Sequence, residues 1–134
     1  MPATLSDELK KVFDAPVFAT VGTVQPDGGP QLSVVWVMRD GDDILLSTTV
    51  GRRKEKNLTR DPRISVVVVH PEDPYLYAEV RGEASLTREG GQELLDELSL
   101  KYTGKRYAEF NPRSVEDAPR VVVRITPRKV VGRI

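Results

Sequence analysis

The sequence contains no cysteine and a single histidine, His70. Without cysteine there can be no disulfide framework and no thiolate ligand for a metal. One histidine leaves too few soft ligands for a zinc centre, so we expect no metal site. His70 comes at the expected end of a strand, directly before Pro71, and we interpret it as a surface or turn residue rather than a catalytic one.

The chain also lacks an excess of charge and a long apolar run. Its 20 Lys and Arg residues balance its 20 Asp and Glu residues, whereas a general nucleic-acid binder usually carries a basic excess. No apolar run approaches the roughly 18 residues of a membrane span. Residues 1–11 lack the basic start and apolar core of a secretory signal. We therefore expect a cytoplasmic protein that binds neither nucleic acid nor membranes.

The length and the pattern of the 134 residues favour one domain over residues 1–134, built mainly from strands. Alternation, β-branched content and turn signals mark the strand segments, and helical spacing marks three short helices. Strands are predicted at 17–24, 31–39, 44–49, 64–69, 75–87 and 121–125, the last extended by 130–134, and helices at the N-terminus after the cap Ser6, at 52–60 and at 89–102. Six strands with regular turns favour a closed or nearly closed antiparallel barrel.

The second predicted strand is apolar on both faces, which indicates that something covers its outer face. Leu32, Val34, Trp36 and Met38 alternate with Val35 and Val37. A small barrel covers only the inner face of such a strand, so a second subunit or a helix must cover the other. We predict a homodimer. The alternative is coverage by the 89–102 helix alone.

The segment from Ser47 to Arg63, STTVGRRKEKNLTRDPR, has the features of an anion site. A strand ends in Ser47, Thr48 and Thr49, the pair Val50-Gly51 makes a turn, and Arg52, Arg53 and Lys54 begin a helix. Cations oppose the dipole at a helix N-terminus, and their presence there indicates a bound anion such as phosphate. The alternative is a solvated basic helix whose arginines pair with nearby glutamates.

The same segment carries a family resemblance. The strand, turn and basic helix, followed by the run Lys54, Asn57, Leu58, Asp61, Pro62 and Arg63, resemble the pyridoxamine-phosphate-oxidase-like superfamily. More closely, the chain from Phe18 to Ile134 is similar to the small actinobacterial reductases that depend on the deazaflavin coenzyme F-420. This resemblance implies a six-stranded antiparallel split β-barrel of the FMN-binding type, and a homodimer with cofactor sites at the subunit interface.

The resemblance also implies a set of cofactor-binding residues. Arg52 and Lys54 match the phosphate ligands, and the adjoining strand end and turn assist through Ser47, Thr48, Thr49, Val50 and Gly51. Gln31, Ser33, Val34 and Trp36 match the strand beside the ring system; Trp36 could instead be simple core. Tyr75 and Tyr77 match the strand that approaches from the other subunit. For Asn57, Leu58 and Asp61 we expect structural roles, with Asn57 and Asp61 at the helix end and Leu58 facing the barrel.

The function implied is hydride transfer between reduced F-420 and a small electron-poor acceptor, with no catalytic residue nominated. The alternatives are an FMN-dependent reductase or oxidase, a non-catalytic carrier of either cofactor and, more remotely, a haem or biliverdin ligand. Six cations, Arg52, Arg53, Lys54, Lys56, Arg60 and Arg63, exceed what one phosphate needs and favour the acidic tail of F-420. Oxidation of vitamin B6 is not expected, because relatives with that activity carry further Arg and His residues where this chain reads VVGRI.

Overall fold

The computed structural model describes residues 2–134, apart from the side chains at positions 115 and 116. One antiparallel sheet of seven strands forms the body of the protein. The strands are β1 (Ala19–Val24), β2 (Pro30–Val35), β3 (Met38–Asp40), β4 (Asp43–Thr49), β5 (Arg63–His70), β6 (Asp73–Thr87) and β7 (Arg120–Gly132). The helices are α1 (Asp7–Asp14), α2 (Arg53–Arg60), α3 (Gly91–Thr103) and α4 (Tyr107–Phe110), with a 3₁₀ turn at Pro112–Glu116.

The strand order, β2-β1-β5-β6-β7-β4-β3, places β2 and β3 at opposite edges of the sheet. Only Trp36 and Val37 separate these two strands along the chain. Three Cα–Cα steps of about 3.8 Å reach at most about 11 Å, so the two edges must lie close together. The sheet therefore curls into a nearly closed barrel that is split between β2 and β3. The mainly β fold is confirmed. The prediction of six strands was wrong, because the segment 31–39 belongs to two edges.

The barrel interior follows the alternation seen in the sequence. In β6, Ala78 and Val80 are fully buried while Glu79 and Arg81 form an ion pair on the outer face. Helix α1, capped by Ser6 as predicted, closes one end of the barrel with the buried side chains of Leu9, Val12 and Phe13. Leu58 of α2 packs into the same core, as expected.

The split in the barrel is held by two residues at the end of α3. The Tyr102 hydroxyl accepts a hydrogen bond from the Val37 N–H at 3.1 Å and donates to the Val17 carbonyl. The Lys101 ammonium donates to the carbonyls of Phe13 and Val37. Burial lowers the pKa of Lys101 to about 8 and raises that of Tyr102. The polar groups freed where β2 stops are thus satisfied by side chains instead of by a neighbouring strand.

Strand β7 runs unbroken through Pro127, joining the two segments predicted for it. The register of the β6–β7 pair shifts between Arg81 and Gly82, opposite this proline. A Cβ at Gly82 would lie 2.3 Å from the Thr126 carbonyl oxygen, so the close approach there requires glycine. A proline is tolerated in the strand because it lies at this irregularity.

Helix α3 covers only part of the outer face of the barrel. Leu94 and Leu98 pack with Val122 against Trp36 and Met38. The outward side chains of β2 remain open, with Leu32 65% and Val34 66% exposed. Helix α3 therefore does not cover the whole outer face in the single chain, as the alternative to a dimer required. Within the described residues, no helix is long and apolar enough to cross a membrane.

Candidate functional site

A polar, cationic cleft of about 360 Å³ opens where β4 ends and α2 begins. We call it the cation cleft. It is lined by Gln31, Ser33, Val34, Val35, Ser47, Thr48, Thr49, Arg52, Arg53, Lys54 and Arg120. All of these except Val35, Arg53 and Arg120 are among the cofactor-binding residues predicted from the sequence. The structure thus brings most of the predicted set together at one place, on the ends of β2 and β4 and the first turn of α2.

Lys54 is the most unusual residue of the cation cleft. We expected the Lys54 side chain to lie at the surface, because it begins a basic helix, but the residue is only 8% exposed. Burial, followed by the nearby charge of Arg52, lowers the pKa of the Lys54 ammonium to about 8. No salt bridge within the described residues involves Lys54. A buried ammonium without a counter-ion is unfavourable, and an anion in the cleft would relieve it.

The acidic residues near α2 are occupied elsewhere. The Glu55 carboxylate accepts the Gly51 N–H at 2.8 Å and the Thr59 hydroxyl at 2.9 Å, and these bonds lower its pKa. Asp61 forms a two-nitrogen pair with Arg63 and accepts the backbone N–H of Arg63. The alternative of a basic helix neutralised by its own glutamates is therefore not what the described contacts show, although Asp61 does remove Arg63 from the set of free cations.

The start of α2 offers further donors to the cation cleft. Arg52 occupies the N-cap position and its Nε donates to the Thr49 hydroxyl at 3.2 Å, while no side chain caps the helix. The first-turn N–H groups of a helix have no acceptor within the helix and carry partial positive charge. Gly51, with a φ of +91°, makes the turn that joins the strand end to the helix.

Two serine hydroxyls on the walls of the cation cleft have no hydrogen-bond partner in the part of the chain that the structure describes. Ser33 Oγ of β2 and Ser47 Oγ of β4 are buried and form no hydrogen bond within the described residues. Buried hydroxyls are nearly always hydrogen-bonded in native proteins. Two orphans facing one cleft, next to an uncompensated ammonium, are what a bound ligand with several oxygen acceptors would satisfy. The residues present therefore fit a phosphate-bearing, polyhydroxylated cofactor.

A chain of hydrogen bonds sets the orientation of Gln31. Arg60 donates to Asn57 Oδ1 at 3.5 Å, Asn57 Nδ2 donates to Thr23 Oγ1 at 3.1 Å, and Thr23 donates to Gln31 Oε1 at 2.7 Å. Because arginine can only donate, the direction of every bond in the chain follows from it. Because the Gln31 oxygen already accepts this bond, the Gln31 Nε2 group is the part of the amide that remains as a donor. Nε2 also donates to the Leu32 carbonyl at 3.3 Å.

This hydrogen-bonded chain corrects the role expected for Asn57. We predicted that Asn57 would satisfy backbone groups at the end of the helix. The side chain is instead fully buried and reaches across to Thr23 of β1. Asp61, in contrast, does accept a backbone N–H, as predicted.

A second cavity of about 330 Å³ adjoins the cation cleft, and we call it the aromatic pocket. Trp36 lies here and not in the cation cleft. Its ring stacks on Tyr102 with centroids 5.3 Å apart and lies 5.6 Å from Phe110. The lining residues are Phe18, Val34, Val35, Trp36, Ser47, Leu95, Leu98, Tyr107, Phe110 and Arg120. Val34, Val35, Ser47 and Arg120 line both spaces, so the two form one continuous site.

The remaining predicted residues lie outside these two spaces. Val50 and Gly51 line a separate cleft behind the turn, together with Thr49 and Arg52. Tyr75 and Tyr77, 82% and 48% exposed, lie on the β5–β6 hairpin and line neither space. Their role was predicted for the partner subunit and stays a prediction.

Sequence reasoning missed Arg120 and the aromatic residues of α4. Arg120 pairs with Thr49 in the β4–β7 register, which brings it beside the strand end that the basic segment follows. Tyr107 and Phe110 follow Tyr102 at short intervals and form a cluster with Trp36. Three of the eight aromatic residues of the chain lie within residues 102–110, and this clustering was the one signal in the sequence that could have indicated them.

Comparison with known proteins identifies the family and the fold. A family model described as pyridoxamine 5′-phosphate oxidase matches residues 5–133. A solved structure described as an F420 reductase is similar at 26% identity and a TM-score of 0.77, over 91% of this chain and 94% of that one. The conserved hypothetical protein Rv2991 from Mycobacterium tuberculosis is also 26% identical, with a TM-score of 0.74 over 96% of this chain and 84% of that one. General Stress Protein 26 from Bacillus anthracis shares the fold at 16% identity, with a TM-score of 0.68 over 92% and 89% of the two chains.

Proposed function

The chain belongs to the pyridoxamine 5′-phosphate oxidase family, and from this premise we propose that it binds coenzyme F-420 in the cation cleft and reduces a small electron-poor acceptor. The observation that carries the proposal is the buried Lys54 ammonium, without a described counter-ion, beside the unpartnered hydroxyls of Ser33 and Ser47. Similarity to an F420 reductase over most of both chains supports the choice of cofactor.

The residues of the cation cleft divide the work of binding. Lys54 and Arg52 hold the phosphate, with the first-turn N–H groups of α2 and the hydroxyls of Ser47 and Thr49 as further donors. Ser33 and the amide of Gln31 donate to acceptor atoms of the ring system or its polyol chain. When bound, the deazaflavin supplies a hydride at its C5. The protein contributes binding, orientation and exclusion of water, and solvent supplies the proton.

The charge near α2 favours F-420 over FMN. Arg53 and Lys56 form no salt bridge within the described residues, and they add to Arg52 and Lys54. One phosphate does not require four cations, whereas the acidic tail of F-420 beyond its phosphate can use them. FMN is the alternative cofactor, with the protein then acting as a flavin reductase or oxidase, and a carrier that binds without turnover is the non-catalytic alternative.

A second copy of the chain belongs to this proposal. The outer face of β2 exposes Leu32 and Val34, and strands β5, β6 and β7 further along the sheet expose Val69, Tyr77 and Val131. Apolar side chains clustered on one sheet face are characteristic of an interface. We place the partner subunit there, with its Tyr75 and Tyr77 approaching the cofactor. The cytoplasmic location expected from the composition stays a prediction.

Titration with FMN and F-420 at low and high salt tests the proposed cofactor. F-420 should bind more tightly than FMN at low salt, and the difference should shrink at high salt because exposed charges are screened. Lys11 is exposed on α1, so Lys11→Ala is the matched control, with the same affinities as the parent protein. Equal affinities would refute the preference for F-420, and tighter binding of FMN at every salt concentration would make FMN the cofactor.

A further inference from the structure

We propose that Arg120 makes the aromatic pocket a site for planar molecules that carry a carboxylate, and that such molecules are the acceptors of the reaction. The inference deepens the proposed function and rests on it, since an acceptor must lie beside the cofactor. The two spaces share Val34, Ser47 and Arg120, so a ligand in the aromatic pocket lies next to a ligand in the cation cleft.

The walls of the aromatic pocket have the shape and chemistry for a flat ring. The Trp36 ring is held by stacking on Tyr102, which lies outside the lining, with an angle of 10° between their planes, and Tyr107 of the lining meets Trp36 edge-on at 81°. Phe18 and Phe110 at the rim are 64% and 50% exposed. Exposed aromatic side chains grouped around one cavity are favourable surface for a ligand to bury, and aromatic rings pack best against other planar groups.

Among the described residues that line the aromatic pocket, Arg120 is the one that carries a charge. Its guanidinium lies over the Tyr107 ring at 4.9 Å from the centroid, and one NH2 group donates to Asp117 at 2.9 Å. The side chain is 15% exposed, so it is held between the ring and the carboxylate. A guanidinium in a fixed position can offer a pair of parallel N–H groups to a carboxylate with little loss of conformational freedom.

The position of Arg120 separates its role from that of the phosphate ligands. Arg120 lines both spaces and begins β7 opposite Thr49, whereas Arg52 and Lys54, at the start of α2, line the cation cleft and not the aromatic pocket. Asp117 takes part of the Arg120 charge but only one of its NH2 groups. A ligand carboxylate therefore adds to the free edge of the guanidinium without displacing Asp117. A neutral planar molecule would gain the aromatic contacts alone.

The test compares para-nitrobenzoate with its neutral analogue para-nitrobenzamide on the full chain, both as purified and saturated with FMN. Binding is followed by calorimetry and, before FMN is added, by quenching of Trp36, which is the only tryptophan in the sequence. The parent should bind the carboxylate about tenfold more tightly, the size expected for one charge-assisted hydrogen bond. Arg120→Gln should remove this preference and leave binding of the amide unchanged. Arg120→Lys should retain part of it, and Arg128→Gln, an exposed arginine on the same strand, should retain all of it.

Four results would overturn the proposal. The parent could bind both probes equally, or it could bind neither probe and show no quenching of Trp36. In either case the pocket does not select carboxylates. Arg120→Gln could weaken both probes equally with an unchanged melting temperature, which would make the residue a part of the pocket wall. Arg120→Gln could also weaken FMN as much as Lys54→Ala does, which would assign Arg120 to the cofactor. Failure of the parent to bind either F-420 or FMN, with carboxylate selection intact, would instead count against the proposed function.

Discussion

Lys54 links ligand affinity, pH dependence and stability in one side chain, and its replacement is the most informative perturbation. Charge-assisted hydrogen bonds contribute about 1.5–3 kcal/mol each, so Lys54→Ala should weaken binding of FMN or F-420 roughly tenfold to a hundredfold. Arg52→Ala should have an effect in the same range. The measurement is a fluorescence or calorimetric titration with each cofactor, using Lys11→Ala as the control.

The pH dependence follows from the lowered pKa. The free protein loses the Lys54 proton near pH 8, whereas a bound phosphate keeps the ammonium protonated. Affinity should therefore be constant between about pH 7 and pH 8, where a phosphate monoester is already ionised, and fall as the pH rises above about 8, by at most about tenfold per pH unit. Lys54→Arg keeps its charge throughout this range, so its affinity should not change there. A parent affinity that does not change across the same range would refute the assignment of Lys54 to the phosphate.

The stability of the cofactor-free protein should change in the opposite direction. The Lys54 pKa is lowered from 10.5 to about 8, and each unit corresponds to about 1.4 kcal/mol. Below pH 8 the charged form is disfavoured in the folded state by at most about 3 kcal/mol, and this penalty is relieved as the pH rises toward 10.5. Lys54→Met should therefore raise the free energy of unfolding at pH 7 while it weakens cofactor binding. A denaturant titration that shows Lys54→Met to be clearly less stable than the parent would contradict an uncompensated ammonium.

Three further predictions concern the chain of hydrogen bonds that ends at Gln31, the expected dimer interface and the barrel. Thr23→Val should weaken cofactor binding severalfold, whereas Thr23→Ser should restore it. Because Thr23 acts through Gln31, the difference between these two variants should disappear in a Gln31→Leu background, and calorimetric double-mutant cycles measure this. Leu32→Asp should convert the expected dimer into a folded monomer of about 15 kDa, read by light scattering, and a parent that is already monomeric would remove the interface. Gly82→Ala should lower the free energy of unfolding by more than about 2 kcal/mol because its Cβ would meet a backbone carbonyl, whereas Gly22→Ala, which meets only the flexible Leu32 side chain at 3.2 Å, should cost less.

The sequence predicted the local elements well because their signals are local. The period of two in β6, the Ser6 cap and the cations at the start of α2 are properties of neighbouring residues. The split between β2 and β3 could not be predicted in the same way. The alternation of apolar side chains continues through Trp36 and Met38. The break exists because β2 pairs with β1 whereas β3 pairs with β4, at the opposite edge of the sheet.

The parts of the site that escaped prediction depend on distant contacts. A lysine in the first turn of a basic helix is predicted to be solvated, whereas Lys54 is buried in the folded chain, in a cleft that it lines together with residues of β2 and β4. From its position in the sequence Asn57 is predicted to be a helix-end residue, and only the folded structure shows its hydrogen bond to Thr23. Arg120 reaches the site through its register opposite Thr49, which is a property of the folded sheet.

Native mass spectrometry of the protein purified from a host that makes both FMN and F-420 tests the central claim most directly. The account predicts a dimer that retains F-420, with one cofactor per chain, and the loss of that mass in Lys54→Ala but not in Lys11→Ala. Retention of the same cofactor by Lys54→Ala, or a parent protein that carries no flavin or deazaflavin and binds neither on titration, would contradict it.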